Sequence, residues 1–328
     1  MVTASGVRIG WADLPWPVRA AVEDIIGGTV VEARSQSGGF SPGTADRVRT
    51  ADGRRAFVKA VSADLNEHSP GLHRREARIA AALPAAVPAP RLLGLHDDGA
   101  WVALVLEDVE GRSPATPWRA DELAPVLAAL GDLARVPADL PDLPTATETL
   151  GYDLAGWWRI AADPPATPAE PATASDPPPA DLHPWTARRL DRLCALADRG
   201  VAALTGDSLV HSDVRADNLL LRRDGTVSIV DWPWACRGPA WLDRLLLLVN
   251  VRLYGGDHDT GALLAACAEE TGADPRDLVA VLAALAGFFA DMARRPPPPG
   301  LPTVRAFQRA QADAIASWLD ELDPEGAT

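Results

Sequence analysis

The sequence is poorest in the residues that catalysis and metal binding recruit most often. Its 328 residues include one lysine, Lys59, among 31 basic residues, and three asparagines, Asn66, Asn218 and Asn250. It has three cysteines, Cys194, Cys236 and Cys267, two methionines and two tyrosines. The odd cysteine number and the lack of paired short spacings exclude a zinc or redox motif, leaving small reduced core residues. The N-terminus has no apolar run behind a basic region, so neither a signal nor a transit peptide is expected, and the chain reads as cytoplasmic from Met1 onward. The longest nearly uninterrupted apolar stretch, 278–290, falls short of the roughly 20 residues that span a bilayer and is expected to be a buried helix. Cations are outnumbered: 31 Lys and Arg against 45 Asp and Glu leave a net charge of −14. That balance argues against nucleic acid, whose binding draws on clustered cations, and against an anionic membrane as partner.

What is present divides at about residue 106. The stretch 29–61 alternates like strands: 29–36, a Gly/Ser/Pro tip at 37–44, 46–50, an Asp52-Gly53 turn, and 55–61. An Ala-rich helix over 74–83 is stopped by Pro84, Pro88 and Pro90. Two further strands are expected at 91–96 and 100–106. Beyond residue 112 the pattern turns helical, over 121–136, 150–161, 185–204, 241–253, 260–271, 275–293 and 304–319. A loop and a hairpin, 219–222 and 226–230, interrupt it, and the proline-rich 163–180 reads as a mobile insertion.

The chemistry concentrates in His211-Ser212-Asp213-Val214-Arg215-Ala216-Asp217-Asn218, followed by Asp231-Trp232 at the end of the hairpin. Phosphoryl transfer needs a carboxylate to position a hydroxyl and take its proton, and oxygen ligands for magnesium at the phosphates. Asp213, Asn218 and Asp231 supply these from one segment. The 209–232 segment resembles the catalytic and metal-binding loops of the aminoglycoside phosphotransferase family. The resemblance extends over about 29–319.

It implies an α+β, bilobal protein-kinase-like fold with a small antiparallel β-rich N-lobe and a larger, mainly helical C-lobe. On that reading residues 1–106 are the nucleotide-binding lobe, 107–112 the hinge and 113–328 the catalytic and acceptor lobe. The glycine-rich tip, with Gly38, Gly39, Phe40, Ser41 and Gly43, would cover the phosphates, because backbone approaches closely where no Cβ intervenes. Lys59 would hold the phosphates as a compact point charge where every other basic residue is arginine. Glu76 would orient it, although its arginine-flanked position also fits a surface ion pair. Glu107 and Val109 would meet the adenine edge, with Leu104 and Val105 walling the cleft. Asp213 would be the base and Asn218 and Asp231 the magnesium ligands. His211 would be a scaffold for the loop, and Asp243 a brace for it or a plain helix-start aspartate. The sequence departs from the family at Ser212, where glycine is usual, and at Arg215-Ala216-Asp217, where His-Pro-Gly is frequent.

The implied activity is transfer of the γ-phosphoryl group of ATP or GTP, with Mg2+, to a hydroxyl of a small molecule such as an aminoglycoside, another antibiotic or a metabolite. The alternatives are an inactive nucleotide-binding scaffold of the same fold, a kinase of a non-antibiotic amino alcohol, sugar or nucleoside, and a metal-dependent hydrolase using His211, Asp213 and Asp217. Two features bear on the acceptor. Carboxylates of the helical lobe (Asp257, Asp259, Glu269, Glu270, Asp274, Asp277, Asp291, Asp320, Glu321) would attract a polycation if they lined the cleft. Trp157, Trp158, Trp185, Trp232, Trp234 and Trp241, if they lined it instead, would favour a flat or apolar acceptor.

Overall fold

The computed structural model describes residues 8–36, 39, 42–163, 182 and 184–322. Most of the proline-rich stretch, and Gly38, Phe40 and Ser41 of the glycine-rich tip, lie outside the described residues.

Helix α1 (Trp16–Ile26) precedes strands β1 (Val30–Ser35), β2 (Thr44–Thr50) and β3 (Arg55–Ser62). Helix α2 (Ser69–Ala82) then leads to β4 (Leu92–Asp97) and β5 (Trp101–Leu106). The strands form one antiparallel sheet in the order β1-β2-β3-β5-β4. Strand alternation sorts the side chains. Val58, Ala60, Ala103 and Val105 pack with Val18, Val22 and Ile26 of α1. On the opposite face, Val102, Leu104 and Leu106 pack with Ala77 of α2. Lys59 pairs with Leu104 across β3 and β5 and so shares the α2 face.

Helix α1 is absent from the sequence reading, although Pro17 in its first turn and Gly27 at its end are start and stop signals. Gly27 takes a left-handed φ of 81° and donates its N–H to the Glu23 carbonyl. Helix α2 begins earlier than expected because Asn66 Oδ1 accepts the N–H groups of His68 and Ser69 and the Ser69 hydroxyl.

The second lobe holds α3 (Ala120–Leu133), α4 (Ala146–Leu154), α5 (Gly156–Ala162), α6 (Pro184–Ala187) and α7 (Leu190–Ala202). Short strands β6 (Ser208–Val210), β7 (Leu219–Leu221), β8 (Val227–Ile229) and β9 (Cys236–Gly238) follow. Helices α8 (Leu242–Tyr254), α9 (Thr260–Thr271), α10 (Pro275–Ala293) and α11 (Val304–Leu322) complete it. Helix α10 contains the apolar stretch and lies at the centre, with Leu278, Val281 and Leu282 fully buried. No helix among the described residues is long and apolar enough to cross a membrane.

Two expected helices are each broken in two. The 150–161 helix divides at Ala155, where Gly156 meets α10 so closely that an added Cβ would lie 2.2 Å from the Gly287 carbonyl oxygen. The 185–204 helix divides into α6 and α7. Strands β6 and β9 were not anticipated, since three residues are too few to show a period.

Gly94 on β4 is the contact point of α1: a Cβ there would lie 2.6 Å from Ile25 Cγ2. Gly94→Val is expected to lower unfolding free energy by about 1–3 kcal/mol through overpacking. Urea unfolding checks this, and an unchanged midpoint would mean α1 is not seated on the sheet.

Candidate active site

The loop between β6 and β7 is held open by a carboxylate. Ser212 sits at φ 67°, a left-handed conformation that favours glycine. Asp243, in the first turn of α8, accepts the His211 N–H at 2.8 Å and the Ser212 N–H at 2.9 Å, fixing the turn around this residue. Burial raises the Asp243 carboxyl to about 6, against the two amide donors. His211 is fully buried, and its ring meets Trp232 edge-on at 4.7 Å. Burial lowers it to about 4, so the ring is neutral. Its Nδ1 accepts the Asp213 N–H, which leaves Nε2–H to donate to the Val230 carbonyl at 3.0 Å. Both ring nitrogens are thus committed to the loop, as the scaffold reading expected and as a hydrolase metal ligand would not be. Asn250 of α8 adds a second anchor: its Oδ1 accepts the Ala216 N–H and the Trp118 indole N–H, each at 3.2 Å.

Within this frame Asp213 is half-buried. Arg215 Nη1 donates to its Oδ1 at 2.8 Å, and the same guanidinium forks onto Asp217 at 3.0 and 3.1 Å. Asn218 Nδ2 donates to the Asp213 carbonyl at 2.8 Å and to Oδ2 at 3.0 Å. Those bonds fix the amide orientation and leave Asn218 Oδ1 without a donor among the described residues. Burial pushes the Asp213 carboxyl up to about 7; Arg215 opposes the rise, and Asp231 and Asp217 add to it. Arg215 was not among the sequence candidates. Its signal was its place two residues from each aspartate, a spacing that here lets one guanidinium clamp both.

Asp231 also has a left-handed backbone, φ 70°. Lys59 Nζ lies 2.6 Å from Glu76 Oε2 and 2.6 Å from Asp231 Oδ1, joining the two lobes. Burial works against the ammonium, but Asp231 and Glu76 together raise its pKa. Burial likewise opposes ionisation of Asp231, and Lys59 overrides it, holding the carboxyl at about 2. Glu76, almost completely buried, is raised by desolvation despite the same lysine. The ion pair therefore favours the buried reading of Glu76 over the surface one.

A cavity of about 230 Å³ lies between the lobes, lined by Lys59, Glu76, Asn218 and Asp231 along with Gly39, Glu107 and Val109. Gly39 has φ 75°. Gly43 is required by close approach: an added Cβ would lie 2.3 Å from the Ala60 carbonyl oxygen. Leu104 and Val105 do not line this cavity. Leu104 is buried beneath α2 and Val105 faces α1, while Leu106, next on the Leu104 face, takes the wall position. After β5 the Glu107 N–H is spent on the Arg91 carbonyl, whereas no main-chain hydrogen bond engages Val109 among the described residues. Asp108 is clamped by Arg47 of β2 and Arg55 of β3, a contact that the sequence does not signal. Arg8 also lines the cleft.

Asp213 does not line the interlobe cavity; it lines a second one, of about 310 Å³. Trp234 lines it. Of the other five highlighted tryptophans, Trp232 belongs to the interlobe cleft, Trp157, Trp185 and Trp241 are buried in the helical core, and Trp158 is exposed. None of the nine carboxylates considered for a polycation lines it. Asp259 and Asp274 cap α9 and α10; Asp277 pairs with Arg199, Glu270 with Arg244 and Glu321 with Arg252. Asp291, with no exposed side-chain surface, takes Arg159, Arg294 and Arg295.

A five-stranded sheet over a helical lobe, with a lysine, a glutamate and an aspartate meeting across the cleft, defines a kinase-like phosphotransferase. The profile of the phosphotransferase enzyme family (APH) matches residues 37–270, and the chain belongs to that family. Among solved structures, aminoglycoside phosphotransferase APH(4)-Ia aligns at TM-score 0.55 and 16% identity, over 92% of this chain and 97% of that one. An aminoglycoside phosphotransferase from Alicyclobacillus acidocaldarius aligns at TM-score 0.52 and 18% identity, over 94% and 96%. APH(3'')-Id from Streptomyces rimosus, solved with ADP and streptomycin, aligns at TM-score 0.50 and 19% identity, over 92% and 99%. A comparison with curated proteins returns no match. The chain is thus a small-molecule phosphotransferase by family.

Asp213 makes a stability prediction. Its folded pKa near 7 stands above the unfolded value of about 3.9, so its contribution is fully present below about pH 4 and is lost as pH rises through about 7. Asp213→Asn is expected to match the parent at pH 4 and to exceed it by about 1–3 kcal/mol at pH 8 in metal-free buffer. Urea unfolding at both pH values tests this; a gap that shrinks with pH would refute it.

Proposed function

We propose that the protein transfers the γ-phosphoryl group of ATP or GTP, with magnesium, to a hydroxyl of a small molecule. The observation that carries this reading is the pair of linked contacts, Glu76–Lys59–Asp231 across the lobes and Asp213–Asn218 within the loop. Together they join a phosphate-binding cation and oxygen donors lining the interlobe cleft to a base, Asp213, that is bonded to Asn218 and lines the second cavity. Relatives solved with ADP or AMP-PNP support an adenine nucleotide. The Val109 N–H and the Glu107 carbonyl are the main-chain groups suited to its edge, beneath Leu106.

Asp231 and Asn218 Oδ1 would hold magnesium. They are hard oxygen donors, and magnesium bound through one or two protein oxygens plus phosphates suits such a pair. At Asp231 and Asn218, magnesium would supply the charge neutralisation that the phosphates need. Lys59, kept cationic by Asp231 and Glu76, binds the phosphates. Asp213, loosely basic because it is desolvated, accepts the acceptor's proton as the hydroxyl oxygen bonds to the γ-phosphorus and the nucleoside diphosphate leaves. Arg215 keeps Asp213 from being protonated outright and holds it in line.

Asp213→Ala is expected to lower turnover about 10²–10⁴-fold while ATP affinity stays within a few-fold. Release of ADP against a mixed panel of aminoglycosides, macrolides, nucleosides and amino alcohols, paired with calorimetric ATP titration, reads both. Undiminished transfer would remove Asp213 from the reaction. Nucleotide binding without turnover of any acceptor by the parent would favour the inactive scaffold.

A further inference from the structure

The cavity lined by Asp213 has mainly apolar walls. Trp234, Leu246, Leu285, Phe288, Phe289 and Phe307 face it from four parts of the helical lobe. Two carboxylates line it, Asp213 and Asp153. Asp213 is already engaged by Arg215 and Asn218. Asp153, near the end of α4, has no ion pair or side-chain hydrogen bond among the described residues. The guanidinium of Arg215 lines the same space, so the fixed charge there is nearly balanced before any ligand enters. Ser212, Asn250, Gln308 and Gln311 are the neutral polar residues of the lining; Gln311, 7% exposed, has no hydrogen-bond partner among the described residues, and Asn250 Nδ2 is likewise without one.

A polycationic aminosugar must leave water with several ammonium groups and needs a carboxylate or carbonyl for each. This cavity offers one carboxylate without a direct partner, Asp153, on which Arg159 and Arg295 act only through space, and a surface that rewards apolar contact. Of the nine carboxylates that would have served a polycation, Asp259 and Asp274 cap helices, Asp277, Glu270, Glu321 and Asp291 pair with arginines, and none lines the cavity.

We infer that the phosphoryl acceptor is a largely apolar alcohol carrying one basic nitrogen, packed against the Trp234, Phe288 and Phe307 wall with its ammonium at Asp153. This rests on the phosphotransfer reading above. The hydroxyl reaches Asp213 while the apolar body fills the space between α8, α10 and α11. The single nitrogen orients the molecule.

The full-length protein is first titrated with magnesium ATP by calorimetry, a measurement independent of the acceptor. ADP release and phosphorus NMR of the product then compare α-(dimethylaminomethyl)benzyl alcohol, α-methylbenzyl alcohol and kanamycin. The amino alcohol is expected to exceed both others in kcat/KM by about ten-fold or more, the size of one charge-assisted contact. Asp153→Asn, nearly isosteric, is expected to lower the amino alcohol's kcat/KM about ten-fold or more, to the level of α-methylbenzyl alcohol. Phe288→Asp is expected to weaken the aryl substrates and improve kanamycin. Kanamycin as the better substrate, an Asp153→Asn variant that still prefers the amine, or no turnover of either aryl alcohol with ATP binding intact would each overturn the inference. Failure to bind magnesium ATP would instead overturn the phosphotransfer reading, and this inference with it.

Discussion

The structure depends on one buried ammonium. Lys59 sits between Glu76 and Asp231 at 2.6 Å from each, and so ties a strand, a helix and the end of a hairpin in the other lobe. A buried charge is tolerated only when it is paired, and removing one partner leaves the rest uncompensated. The register of β3 against β2 and β5, the early start of α2 at the Asn66 cap and the left-handed turn at Asp231 all serve that contact. Lysine suits this point because a compact charge reaches two carboxylates without the breadth of a guanidinium.

The helical lobe spends stability on the same site. Ser212 and Asp231 occupy a backbone region that costs a non-glycine residue free energy, and Asp213 and Asp243 are carboxylates lifted by desolvation. The surrounding contacts over-determine the strain: Asp243 on two amides, His211 across the hairpin, Asn250 beneath Ala216. Where the family often carries His-Pro-Gly, this chain substitutes a guanidinium clamp. Arg215 adds a charge that offsets the burial of Asp213 without displacing Asn218.

The same division of labour explains the acceptor side. Many acidic residues of the helical lobe, among the described residues, cap helix starts or pair with arginines, as Asp259, Asp274, Asp277 and Asp291 do. The net charge of −14 is therefore a property of the surface and scaffold, and the cavity beside Asp213 is mainly aromatic and aliphatic.

What the sequence determined by itself was local and chemical. Strand alternation, proline and glycine punctuation and the spacing from His211 to Asn218 depend on neighbours a few residues apart, so five strands, the hairpin and most helices were legible. The rarity of lysine and asparagine marked Lys59 and Asn218, and Asn250 was equally rare but had no local pattern to assign it. Only the tertiary structure decided which face each residue met. It moved Leu104 and Val105 out of the cleft, broke a helix where Gly156 meets Gly287, brought Arg47 and Arg55 to Asp108, and separated Trp234 from the tryptophans of the core. Those outcomes depend on packing between segments far apart in the chain, where close approach and desolvation act and sequence periodicity is silent.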